Sequence, residues 1–374
     1  MTALVKLAPG ALAVGHPLPW TVYDLNGVLL VRRGYVVQSE RQLERLYERG
    51  RFYAKALVEE EVPVLAEVPK LVRANPFAEY VTLLQDLENA IDAVMTRSEQ
   101  AGQYLTDLVA RLDQLCVSEP DACLALVHNG SREPTAYEQT LFHAIICRIV
   151  AARLELDSDR IALLMLAALT ANIALIRHLD KLNSSNKGLT SPQREIIHKH
   201  PLLSAAAVEQ AGLTDPVLLQ IIRQHHERVD GGGYPAGLGA ADILVEARVL
   251  ALAERYTAMT SPRGYRKRYR ADHAMAEILE TTLREPTPRT SHALVKELTT
   301  FPPGVTVRLG NGEIALITHR PVAGEAPVAQ AIISSSGNPY IGSFFRDCDE
   351  HRIEGIVVPD RFPELNLSDL WGYR

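Results

Sequence analysis

The sequence predicts a mainly α fold: a long helical body flanked by small β-rich segments at both ends. Three observations carry this. Apolar residues recur at three- and four-residue steps from residue 76 to about 130. A second helical stretch, rich in boundary signals, runs from about 135 to 290. At either end the period changes to that of strands punctuated by Asn-Gly and Gly-Asn-Gly turns. A chain of 374 residues is too long for one ordinary domain. The expected division is a β-rich segment over 1–65, a helical connector over 66–134, a helical domain over 135–290 and a β-rich segment over 291–374.

In order, Thr21–Leu25 and Val28–Val31 flank Asn26-Gly27, a strong hairpin signal because both turn residues need positive φ. A short helix follows from about Glu40, with Ser39 as its cap and Gln42 three residues on as a capping-box partner. Tyr80, Leu83, Leu84, Leu87, Ile91 and Val94 form one helical face, and Leu105, Leu108, Val109 and Leu112 another. These helices serve equally as a connector, a homodimer interface or the first layer of the next domain. Ser191-Pro192, Pro201 and Thr214-Asp215-Pro216 mark expected helix boundaries. Val305–Leu309, Gly310-Asn311-Gly312 and Glu313–Ile317 make a second hairpin, and Val328–Ile333 a further strand.

Composition narrows the function. Hydrophobic residues make up 47% and charged residues 22%, ordinary for a globular protein. A net charge of -6 argues against DNA or RNA as a partner, since generic nucleic-acid binding relies on excess Lys and Arg. The four cysteines, Cys116, Cys123, Cys147 and Cys348, have no CxxC spacing and read as free thiols of a reducing compartment. The apolar run Ile161–Ile176 is shorter than the ~20 residues a membrane span needs and contains Asn172, so a buried core helix and a cytoplasmic protein are expected.

Several histidines fall on apolar faces. His143 shares its face with Ile146, Cys147 and Val150; His200 follows Ile196 and Ile197; His225 and His226 follow Leu218, Leu219, Ile221 and Ile222. Glu254 lies with Ala247, Leu250, Ala251 and Ala258. A lone histidine of this kind is usually a core residue. A buried carboxylate, however, needs a partner, a metal or a proton. Four imidazoles and a carboxylate suit Fe, Mn or Zn.

His225-His226-Glu227-Arg228-Val229-Asp230-Gly231-Gly232-Gly233-Tyr234-Pro235 resembles the HD-GYP phosphohydrolase signature HHExxDGxGYP and matches every fixed position. The resemblance is closest from about Tyr137 to Arg270. It implies an all-helical HD-type core and activity on cyclic di-GMP through bound metal ions. It aligns His143, His200 (in His200-Pro201), His225, His226 and Glu254 with metal ligands, the last where the family carries Asp. It also implies that the loop holding Asp230, Gly231, Gly233, Tyr234 and Pro235 shapes the nucleotide site and can contact diguanylate cyclases. Arg263 and Arg266, in Arg263-Gly264-Tyr265-Arg266, align with phosphate-contacting residues, with Gly264 replacing a proline.

The chain departs from the family at one place. The metal-binding His-Asp doublet and a nearby Lys align with Ala171, Asn172 and Leu175. A shifted register would offer His178, Asp180 and Lys181 instead, but His178 and Asp180 are not adjacent and project about 200° apart on a helix. The expectation is therefore a degenerate member that binds cyclic di-GMP or a partner protein with little or no hydrolysis. Its metal would be Fe, Mn or Zn at reduced occupancy, or absent. The alternatives are an active phosphodiesterase with a non-standard metal site and a scaffold that binds no nucleotide.

Overall fold

The computed structural model describes residues 4–6, 12–18, 20–23, 29–31, 33–37, 39–53, 73–131, 133–186, 188–262, 266–282, 288–321, 326–358 and 365–373. The chain forms two compact units, one of Pro76–Val305 and one of Met1–Asn75 with Thr306–Arg374.

The first unit is helical: α2 (Pro76–Met95), α3 (Ala101–Ser118), α4 (Pro120–Asn129), α5 (Ala136–Arg153), α6 (Ser158–Thr170), α7 (Ile176–Ser184), α8 (Ser191–Gln210), α9 (Pro216–Gln224), α10 (Val245–Thr260), α11 (Ala271–Thr282) and α12 (Arg289–Leu298). Its axis is α5, which is buried nearly all round through Leu141, Phe142, Ile145, Ile146, Cys147 and Val150. A helix apolar on every side belongs inside a bundle, and α5 is surrounded by α2, α3, α4, α6, α7, α10 and α12. Its start is fixed by a capping box, Thr135 with Glu138. The stripe on α2 turns inward as the periodicity requires, with Leu83, Leu87, Ile91 and Val94 buried. No helix among the described residues is long and apolar enough to cross a membrane.

One boundary signal misleads. Pro201 lies inside α8, not at its end. A proline there leaves the carbonyl four residues back without its backbone donor. That carbonyl belongs to Ile197, and the His200 ring takes it through Nδ1 at 2.6 Å. The helix continues because a side chain replaces the missing N–H.

His128, on α4, ties three parts of this unit together. Its Nδ1 faces the carbonyls of Leu124 and Pro303 at 2.9 and 2.8 Å, and its Nε2 accepts from the Tyr256 hydroxyl at 2.7 Å. Burial lowers its pKa to about 4, against smaller opposing effects of the two carbonyls. The folded state therefore excludes a proton that the unfolded chain takes up near pH 6.5. The resulting stabilisation is complete above that pH and is lost as pH falls towards 4, by about 3 kcal/mol. Urea denaturation at pH 7 and pH 4 should show this loss in the wild type and a shallower one in His128→Gln. Equal pH dependence in the two would refute the assignment.

The second unit holds two antiparallel sheets. The first has β1 (Leu4–Lys6), β2 (Val22–Tyr23), β3 (Leu29–Val31) and β4 (Arg51–Tyr53) in the order β1-β4-β2-β3. The expected pairing is present, with Val22 opposite Val31, although Asn26 and Gly27 lie outside the described residues. Helix α1 (Glu40–Arg49) is capped by Ser39, which accepts from Gln42 N. The Gln42 side chain reaches the Tyr35 hydroxyl at 2.7 Å. Leu18, Val22, Val37, Leu43 and Leu46 make a small core here.

The second sheet has β5 (Thr306–Leu309), β6 (Ile314–His319), β7 (Val328–Ile333), β8 (Pro339–Asp347) and β9 (Ile353–Ile356) in the order β8-β7-β6-β5-β9. Gly312, at φ 85°, makes the β5–β6 turn. Glu313 opens β6 and accepts from both Arg346 and Tyr340. Burial alone would raise its carboxyl, but Arg346, Tyr340 and Asn311 outweigh that and hold it at about 2.

Candidate metal centre

Two backbone carbonyls set the site's chemistry. Ile197 O, released by Pro201, faces His200 Nδ1; Ile222 O, left over where α9 ends, faces His225 Nδ1 at 2.6 Å. Each ring therefore carries its proton on Nδ1 and turns the Nε2 lone pair inward. The two Nε2 atoms face one another at 3.1 Å. Two lone pairs at that distance repel unless a cation or proton lies between them. An imidazole that donates its far N–H to a carbonyl is the usual form of a metal-ligating histidine.

His226 completes the group: donor atoms of His200, His225 and His226 all lie within 4.8 Å of one another. Burial keeps the three rings neutral, lowering His200 to about 3 and His225 to about 4, with mutual repulsion adding to the effect at His200 and His226. Neutral imidazole is the form that ligates metals. Glu254, on α10, puts Oε2 3.9 Å from His225 Nε2 and 3.8 Å from His226 Nε2, and Oε1 3.8 Å from His143 Nδ1. Burial raises its carboxyl, opposed by His143 and by a hydrogen bond from Asn172. This donor set fits a divalent transition-metal ion, since three imidazoles and a carboxylate suit Fe, Mn or Zn alike.

The residues at the doublet position are also here. Ala171 ends α6 and is fully buried. Asn172 donates Nδ2–H to Glu254 Oε1. Leu175 lines the adjoining cavity together with His143, Asn172, His200, His226, Tyr234 and Glu254. The shifted register is overturned: Asp180 accepts from the Ala136 backbone N–H at the start of α5, and His178 is exposed on α7. Helix geometry separates the two residues, and packing points neither into the site.

Glu227 organises the loop that closes the cavity. Its Oε1 accepts from Ala236 N at 2.6 Å and Gly237 N at 3.2 Å, and its Oε2 from Leu238 N at 2.9 Å. Asp230 accepts from Gly232 N at 2.9 Å and pairs with Arg228. Gly233 passes so close to its own loop that a Cβ would lie 2.3 Å from Arg228 N. Gly231 is left-handed at φ 73°. Pro235 follows Tyr234 at the tip, and the Tyr234 ring stacks on His198, 4.5 Å between centroids, and lies 4.8 Å from His226.

The cavity measures about 880 Å³. Besides the predicted residues, its wall includes Gln139, Thr140, Asn183, Asn186 and Arg255. Sequence reading missed these, though Arg255 adjoins Glu254. Arg266 does not line the cavity: its guanidinium donates to the Ala258 and Met259 carbonyls at the end of α10 and covers the Tyr269 ring at 4.2 Å. Arg263 lies outside the described residues.

Residues 121–284, which carry the helices that bring these histidines and Glu254 together, match the family model described as HD domain. Its histidine pair and GYP loop resemble those of the HD-GYP family. A cyclic di-GMP phosphodiesterase of Pseudomonas aeruginosa is 28% identical, over 91% of this chain and 88% of that protein. A cyclic di-GMP phosphodiesterase response regulator of Xanthomonas campestris pv. campestris is 28% identical, over 43% of each. A cyclic di-GMP phosphodiesterase of Borreliella burgdorferi is 24% identical, over 46% of each, so the chain spans less than half of these last two relatives. Among solved structures, an HD-GYP-type protein from Bdellovibrio bacteriovorus shares the fold at TM-score 0.52 and 18% identity, over 79% of this chain and 99% of that one.

Proposed function

We propose that this chain acts in cyclic di-GMP signalling, in the cytoplasm, as a nucleotide-binding member with little or no hydrolysis. Relatives named cyclic di-GMP phosphodiesterases support the ligand. The observation that carries the loss of hydrolysis is Asn172, whose neutral amide donates to Glu254 where the family resemblance places a carboxylate. An amide cannot bridge two cations. Ala171 adds no donor, and Leu175 puts an apolar side chain on the cavity wall where a cation would meet phosphate.

His200, His225, His226 and Glu254 would hold an ion, which when bound supplies Lewis-acid polarisation of a phosphodiester. The remaining work is recognition. Arg255 lines the wall; its guanidinium donates to the Thr281 hydroxyl at 2.7 Å and pairs with Glu277 at 3.7 Å, and its remaining N–H groups would meet a phosphate. Asn183 and Asn186 offer paired amide donors and acceptors that suit a guanine edge. Tyr234 supplies an aromatic wall. Arg228 and Asp230 leave the loop's outer face charged and exposed, which favours a protein partner such as a diguanylate cyclase.

The test is calorimetric titration of cyclic di-GMP into protein of measured metal content, with chromatography of the same samples for linear product. Saturable binding without product is expected. Arg255→Ala should weaken it about tenfold, the scale of one charge-assisted hydrogen bond. Product that disappears on chelation would make the chain a phosphodiesterase instead. Absence of binding at high micromolar nucleotide would leave a scaffold.

A further inference from the structure

We infer that the centre takes a single divalent ion, on His200, His225 and His226 with the Oε2 side of Glu254, and that the Asn172 amide fills the place of a second cation. This deepens the metal-centre reading and does not depend on the nucleotide.

The two oxygens of Glu254 face different company. Oε2 looks towards His225 and His226. Oε1 looks towards His143 and accepts the Asn172 N–H. On the first side, three Nε2 or Nδ1 donors converge within 4.8 Å and the carboxylate completes a four-donor set. On the second side the donors are one imidazole and an oxygen that already holds a hydrogen. An N–H aimed at a carboxylate oxygen occupies the position, and supplies part of the positive charge, that a cation would supply there. Neighbouring Ala171 and Leu175 are both buried and bring no donor. Protein metal sites use three or more protein donors as a rule, so the second side falls short.

Asn172 therefore acts as a positioning residue. By fixing Oε1 it orients the carboxylate so that Oε2 is presented to the histidine trio. Replacing it with aspartate reverses the electrostatics: a donor becomes a second carboxylate beside Glu254 and His143. Two carboxylates in contact favour a cation between them.

The experiment uses the full chain loaded with manganous ion, dialysed, and analysed for metal per chain and by electron paramagnetic resonance. The wild type should retain one ion with the six-line signal of an isolated centre. His200→Ala should lose the ion at least tenfold, whereas His143→Ala should keep it. Asn172→Asp should take up a second ion and show the broadened, exchange-coupled signal of a pair. Two ions or none in the wild type would overturn the inference. So would loss of the ion in His143→Ala as complete as in His200→Ala, or an unchanged count in folded Asn172→Asp. The wild-type count and the His143→Ala count decide the matter even if the aspartate variant fails to fold. Nucleotide titration stands apart: one ion with no nucleotide binding would remove the proposed ligand and leave the mononuclear centre intact.

Discussion

Glu227→Ala is expected to cost about 3–5 kcal/mol of stability and to weaken ligand binding by more than tenfold. Three backbone N–H groups, of Ala236, Gly237 and Leu238, point at this one carboxylate. The side chain is 6% exposed, so in its absence water reaches those donors only if the loop opens. Each buried donor left unpaired costs about 1–3 kcal/mol, and bonds to a charged acceptor lie at the upper end. Opening the loop moves Tyr234 away from His226 and unmakes one wall of the cavity. Glu227→Gln keeps one acceptor oxygen and should fall between. Chemical denaturation and calorimetric titration of the three proteins would check the order; an alanine variant as stable as the wild type would show that the loop is held by other contacts.

The second large effect is the ion's contribution to stability. In wild-type protein, free divalent ion at 1,000 times its dissociation constant should stabilise the fold by about 4 kcal/mol relative to chelated protein. In His225→Ala that difference should shrink to near zero. The sign for the chelated proteins is less one-sided. Removing His225 opens a cavity at a fully buried position, which destabilises. It also removes one of two lone pairs facing each other at 3.1 Å, which offsets part of that cost. The clean quantity is thus the ion-minus-chelator difference within each protein, read as a shift in melting temperature. An equal shift in both would mean that the ion binds elsewhere.

Much of the fold was legible in the residues. The stripe Leu83, Leu87, Ile91 and Val94 is buried as its spacing requires, and Gly310-Asn311-Gly312 turns the β5–β6 hairpin. The histidines and Glu254 meet because each stands on the inward face that its apolar neighbours define. Pro201 was harder. Its effect depends on whether another donor replaces the lost N–H, and that donor is the imidazole immediately before it. Arg266 is the converse case. Its position in the motif points to phosphate, while its guanidinium is spent on the last carbonyls of α10.

By itself the sequence determined which residue types are available: four apolar-face histidines, one carboxylate, a complete GYP loop, and Ala171, Asn172 and Leu175 where ligands are expected. Side-chain chemistry and helical period are local properties, so they can be read along the chain. Only the tertiary structure decided that Asn172 donates to Glu254, 82 residues away, and that Asp180 caps α5 without entering the site. Those outcomes depend on how α6, α7 and α10 pack around α5. Packing sets the ångström-scale distances between helices on which a hydrogen bond or a metal ligand depends, and no local pattern encodes them.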